Sequence, residues 1–189
     1  MTTVVYTAPT EEPVTATEAK LHAKIDTTAD DALITILISS VRQLAELELG
    51  RKIITQTLDT YFDEFPDEIV LMPLQSVTSI AYDDVDGVNQ TISASEYRVD
   101  TYGHHSRITP AYGYSWPSTR QQTNAVKVRY VAGYGLSAAV PACIKNWMLI
   151  RIAQAYEQRL AINFNGQSVE FPRSYVDGLL DPERVFGRA

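Results

Sequence analysis

The chain has 189 residues, a single cysteine and a formal charge of −7, with 45% apolar and 21% charged side chains. That balance supports a packed core in one domain, with two small ones as the alternative, and argues against general disorder. No run of about 18 apolar residues exists to cross a bilayer, Met1 to Thr10 lacks the basic and apolar regions of a secretory leader, and Cys143 alone excludes an internal disulfide framework. A soluble protein of a reducing, cytoplasmic compartment is expected.

Met1 to Pro13 is Thr-rich and punctuated by Pro9 and Pro13, and reads as a loose arm over residues 1–13. Thr15 and Glu18 form the signature of a capping box, in which each side chain satisfies a backbone N–H of the same turn. This predicts a short helix from Ala16 to Lys24. Thr28 is the next cap, with Asp30 and Asp31 favoured in the first turn by the helix dipole. Leu33, Ile34, Leu37, Ile38, Val41, Leu44, Ala45 and Leu49 then recur at helical spacing as a core-facing stripe. Gly50 supplies the left-handed stop. A helix from Ala29 to Leu49 would run about 31 Å at 1.5 Å per residue.

Strand signals follow. Ile53 to Phe65, Glu68 to Met72, Ser76 to Tyr82, Asn89 to Ile92, Tyr97 to Thr101, Arg107 to Pro110 and Asn124 to Tyr130 are rich in β-formers or alternate in polarity. Asp83 to Gly87 reads as a hairpin turn, and Gly133-Tyr134-Gly135 as the exit from the sheet. Pro141 then opens another helix, carrying Ile144, Trp147, Met148, Ile152, Ala155, Tyr156 and Leu160. Asn163 to Arg173 reads as a loop, and Ser174 to Leu180 as a final short helix. The predicted class is α+β, mainly α. A helical body (14–50 and 140–186, two N-terminal and two C-terminal helices) carries a central antiparallel β-rich insertion (51–136).

The charge is uneven: residues 1–50 hold 3 basic and 8 acidic side chains, residues 51–136 hold 7 and 10, and residues 137–189 hold 6 and 5. An acidic chain of this kind is not built to wrap nucleic acid on a basic surface. His104-His105 is the sole adjacent pair of metal-ligand types, and neighbours in a turn point apart, short of the three or four convergent ligands zinc needs. Cys143 lies at a helix start with no histidine partner in view and reads as a small packed residue. The acidic clusters lack calcium-loop spacing, and no phosphate-loop, dinucleotide, nucleophile-elbow or zinc-protease pattern occurs. No enzyme, metal or cofactor is expected. Two segments instead have the character of contact surfaces: the Gly-, Ser- and Pro-rich loop with Tyr102, Tyr112, Tyr114 and Trp116, and the C-terminal segment with Tyr175, Leu179, Leu180, Arg184, Val185 and Phe186. For each, packing on the chain's own core is the alternative.

From about Pro13 to Arg188 the sequence resembles the head–tail connector, or head-completion adaptor, proteins of long-tailed phages and prophages. The resemblance is carried by Pro13-Val14-Thr15-Ala16-Thr17-Glu18-Ala19-Lys20, by Asp30-Asp31-Ala32-Leu33-Ile34 leading to Leu49-Gly50-Arg51, and by Ile54-Thr55-Gln56-Thr57. It continues through Pro73-Leu74-Gln75-Ser76-Val77-Thr78-Ser79-Ile80, Tyr97-Arg98-Val99-Asp100 and Ser115-Trp116-Pro117. Val128-Arg129-Tyr130-Val131-Ala132-Gly133-Tyr134-Gly135 completes it, with Pro141 and the helix after. The resemblance implies a virion protein made in the bacterial cytoplasm, and a homo-oligomeric, commonly dodecameric ring beneath the portal protein and above a downstream connector or tail protein. DNA would pass through without sequence-specific binding, and no membrane is involved. It also implies a C-terminal segment, here Ser174 to Phe186, that reaches toward the portal, and no catalytic residues. A module of another phage assembly, such as a tail or baseplate protein, is the alternative. On this view acidic residues of helix 28–49 or of the 83–87 hairpin would line the channel and repel phosphate.

Overall fold

The computed structural model describes residues 1–103, 105–158 and 176–185. They divide into two compact units, one β-rich (Met1–Thr10 and Thr55–Tyr134, with Val185) and one helical (within Glu11–Ile54 and Gly135–Arg184).

In the helical unit, α1 (Ala16–Ala23) begins at the Thr15–Glu18 capping box, with Glu18 N–H donating to Thr15 Oγ1 at 3.1 Å and Thr15 N–H to Glu18 Oε2 at 2.7 Å. α2 (Asp31–Leu49) starts two residues later than its caps predict. Asp30 takes the N-cap position, but its carboxylate accepts the Tyr156 hydroxyl at 2.6 Å instead of capping the helix. Gly50, at φ 67°, ends α2 in the left-handed conformation that only glycine adopts without cost. α3 (Ala142–Glu157) follows Pro141, which is the residue just outside the helix. All three helices pack on one another. Ile34, Ile38, Ala45 and Leu49 of α2 face Ile144, Trp147, Met148 and Ile152 of α3 in spacing, and all are buried to within 3%. Leu44, assigned to the core stripe by its spacing, is 43% exposed.

One polar chain is sealed into this unit. Arg42, 8% exposed, donates to Glu12 Oε2 at 2.7 Å and to Glu46 Oε1 at 3.3 Å, and Lys52 Nζ meets Glu46 Oε2 at 2.8 Å. Burial pulls the Arg42 pKa down, but the hydrogen bond and charge of Glu12 and the charge of Glu46 outweigh it and hold the guanidinium above its ordinary range. Glu12 is thereby tied to α2, 30 residues away in sequence.

The β unit contains β1 (Thr2–Thr7), β2 (Gln56–Phe62), β3 (Ile69–Leu71), β4 (Leu74–Asp83), β5 (Asn89–Thr91), β6 (Tyr97–Asp100), β7 (Ser106–Pro110) and β8 (Val126–Ala132). One sheet has the order β1-β2-β8-β4-β5 and the other β3-β7-β6, and every ladder is antiparallel. Leu58, Ile80, Val126, Val128 and Tyr130 of the first sheet and Ile69, Leu71 and Ile108 of the second share one buried cluster, as two packed sheets require. β8 keeps a strict in–out alternation, whereas β4 carries two register shifts, between Leu74 and Ser76 and between Val77 and Ser79. The β4–β5 turn uses Gly87 at φ 83°.

The expected body of two N-terminal and two C-terminal helices is not what forms. Three helices and eight strands in two antiparallel sheets are present among the described residues, at 31% helix and 28% strand, so no helical majority exists. Two local causes account for this. The predicted arm contains Thr-Thr-Val-Val-Tyr-Thr, whose β-branched and aromatic side chains favour the strand it adds to β2. At the other end, Val176 and Asp177 are helical, but the chain then closes in i→i+3 turns and a 3-10 turn at Asp181–Glu183, where Pro182 leaves no donor for a longer helix.

Candidate functional site

The described residues contain no group of three or more His, Cys, Asp or Glu placed to hold a metal ion. His104 lies outside the described residues, and Cys143 is a half-buried free thiol.

The aromatic loop residues do not form one cluster. Tyr102 is fully exposed between β6 and β7, its N–H bound to Asp100 Oδ1 at 2.9 Å. Tyr112 (98% exposed) and Tyr114 (54%) flank Gly113 in the turn after β7. Trp116 instead packs down: its ring stacks on Phe65 at 4.9 Å and 8°, Phe65 meets Tyr82 edge-on at 5.6 Å, and the indole N–H donates to the Asp67 carbonyl at 3.4 Å. An open groove of about 980 Å³ is lined by Asp63, Glu64, Phe65, Tyr114, Trp116 and Pro117 among others.

The C-terminal segment is folded onto its own chain where it is described. Val176 and Leu180 are buried, Val185 is 9% exposed and Leu179 is half-buried. Tyr175 and Phe186 lie outside the described residues. Arg184 donates to the Glu48 carbonyl at 3.1 Å and pairs with its carboxylate at 3.4 Å. Asp177 accepts Arg151 Nη2 at 2.6 Å and the Trp147 indole N–H at 3.3 Å, with Arg151 also over the Trp147 ring at 5.4 Å. Whatever this segment contacts in a partner, it is clasped to α3 in the free chain.

The carboxylates of α2 are engaged inside the unit: Asp31 with Lys20 at 2.7 Å, Glu46 with Arg42 and Lys52, and Glu48 with Arg184. The exposed residues of α2 include Ile36 (61% exposed), Ser40, Gln43, Leu44 and Leu47 (78%), with Glu48 beside them near its C-terminal end. Three further carboxylates, Asp83, Asp84 and Asp86, lie in the β4–β5 hairpin, with Arg120 against its turn at Gly87. There Asp84 accepts the N–H groups of Asp86 and Val88 and the amide of Gln90, and Asp83 accepts from Asn89 and Gln122. The hydrogen bond from Gln90 and those from the turn backbone hold the Asp84 carboxyl below its ordinary range.

Two features escaped the sequence reading. On the outer face of the large sheet, Asp59 (3% exposed) receives Arg129 in a two-pronged pair at 2.7 and 2.7 Å, which raises the guanidinium pKa, and the Tyr6 ring lies 3.3 Å from that guanidinium. Asp59 and Arg129 are 70 residues apart in sequence, so only strand register joins them. The other is the exposed apolar set on α2, where Ile36 and Leu47 lie off the main stripe and Leu44, assigned to that stripe, turns outward.

The profile of the phage gp6-like head-tail connector proteins matches residues 14–107. The chain belongs to the phage head–tail connector family. Its role is accordingly structural, in joining head to tail. Among solved structures it is similar to a chain in the neck of an empty GTA particle computed with C6 symmetry (TM-score 0.81, 21% identity) and to a chain in the virion of a native gene transfer agent particle (TM-score 0.78, 21% identity). A third, in the neck of a native GTA particle computed with C12 symmetry, gives a TM-score of 0.69 at 20% identity. Each comparison covers 100% of this connector and 98% of the other chain. No curated protein matches the sequence.

Proposed function

We propose that this connector assembles as a ring in the neck of a phage or phage-like particle, with the portal protein on one side and the next connector or tail protein on the other. The observation that carries the proposal is the full-length match in fold to chains of particle necks, two of them computed with C6 and C12 symmetry. Twelve copies around the DNA path is the stoichiometry this favours. The surface chemistry agrees with a role in contact: exposed tyrosines at 102 and 112, and the exposed apolar residues Ile36, Leu44 and Leu47 on α2.

Within that ring, the C-terminal segment is the proposed portal contact through Tyr175, Leu179, Leu180, Arg184, Val185 and Phe186. Because Leu180 and Val185 are buried in the free chain, that contact requires the segment to leave its clasp on α3 during assembly. Tyr102, Tyr112, Tyr114 and Trp116 are the proposed contacts to a neighbouring chain. The carboxylates of the 83–87 hairpin are the proposed lining of the DNA path, where like charge keeps the duplex from adhering.

The test is electron microscopy of the purified protein alone and mixed with its cognate portal. Rings bound coaxially to the portal are expected. A protein that stays monomeric and fails to bind the portal would remove the proposal. Replacing Asp84 and Asp86 by lysine is expected to slow DNA ejection from otherwise intact particles, and unchanged ejection rules out the lining role.

A further inference from the structure

The large sheet has two edges, β1 on one side and β5 on the other. The outer ladder of β1 pairs with no strand among the described residues. A row of unpaired N–H and C=O groups templates further pairing, and proteins that must stay single blunt such edges with charges, proline or bulges. Thr2–Thr7 contains no charged residue and no proline, and its Val4 and Val5 are 44% and 50% exposed. A register shift does occur between Val5 and Thr7, leaving Tyr6 against Arg129, but Thr2–Val5 remains a regular stretch. The Thr3–Thr60 hydroxyl contact at 2.8 Å and the Tyr6–Arg129 contact hold β1 in place, so the edge is presented as a formed strand. The opposite edge, Asn89–Thr91, is exposed throughout and is equally free of charge and proline.

The geometry points to a strand-to-strand joint between copies, in which β1 of one subunit adds to the β5 edge of the next and continues the sheet across the boundary. The occupant is a second copy because one sheet carries both complementary edges, each open and uncharged. Since the two edges differ, the joint is head-to-tail, the type of contact that closes into a ring when the rotation allows. Main-chain pairing supplies the attraction, and Val4 and Val5 supply apolar cover. The inference rests on the ring proposed above and specifies where its subunits meet.

The test uses full-length protein carrying C143A, V4C and Q90C, treated under assembly conditions, with cognate portal present, with a flexible bis-maleimide that tolerates a slip in register. A ladder of covalent species beyond the dimer is expected from the double-cysteine protein, and none from C143A/V4C or C143A/Q90C. V5K, which places a charge on the edge, is expected to lower the assembled fraction about tenfold while leaving the monomer's thermal melt unchanged. An L21K control on the exposed face of α1, at a residue placed in no contact, should cross-link as the parent does. Rings that form without any ladder overturn the joint and leave the ring itself standing. Dimers from C143A/V4C alone show β1 pairing with itself and overturn the head-to-tail arrangement. Absence of both rings and ladder refutes the joint and the ring together.

Discussion

Asp177→Ala tests how firmly the C-terminal segment is held before assembly. The carboxylate is the common acceptor of Arg151 Nη2 and the Trp147 indole N–H. Trp147 is 1% exposed, so its N–H loses its partner without gaining water, at a cost of about 1–3 kcal/mol. The Arg151 pair is about a quarter exposed on both sides, with side-chain values of 23% and 25%, and is screened; such a pair adds only about 0.2–1 kcal/mol. The total is about 1–4 kcal/mol, which for a chain of this size lowers Tm by roughly 3–15 °C. Loss should be local first: amides of 176–185 exchange faster, and in a W116F background the Trp147 emission shifts to the red. Portal binding is expected to strengthen, because the segment no longer has to be released. Unchanged exchange at 176–185 together with unchanged Trp147 emission would refute the reasoning, since the clasp would then hold nothing.

Four further outcomes follow from the packing. Thr15→Ala should cost about 1 kcal/mol by removing the capping box, read as a lower Tm. Hydrogen bonds from the Thr15 backbone and side chain depress the Glu18 pKa below its ordinary 4.5, so its contribution is full above that pH and is lost as pH falls through the depressed value. E18Q, which keeps the cap geometry but does not titrate, should flatten that acid loss, and an unaltered slope of stability against pH below about 4.5 would assign it to other carboxylates. Ile144→Ala opens a cavity in a site of 0% exposure and is expected to cost about 2–5 kcal/mol in denaturant melts. Gly87→Ala forces a side chain into φ 83°, where the flexible end of Arg120 must also move aside; a loss of about 1–2 kcal/mol is expected, with no change in the helical unit's amide exchange.

Local chemistry was open to reading from the sequence alone. The Thr15–Glu18 cap, the Gly50 stop, the α2 stripe through Ile34, Ile38, Val41, Ala45 and Leu49, and the alternation of β8 all depend on residues within a turn or two of each other, where steric and hydrogen-bonding preferences act directly. The order of motifs along the chain also carried the connector family. What local pattern could not give was pairing: that Thr2–Thr7 lies beside β2, that the strands sort into two sheets, that Asp59 meets Arg129 under Tyr6, and that Asp177 clasps Trp147 and Arg151. Each joins groups 26 or more residues apart, so its existence depends on register and burial that no short window contains. The same holds for Leu44 and Leu47: helical spacing makes them apolar neighbours of the core stripe, and only the packed positions of α1 and α3 leave them facing outward.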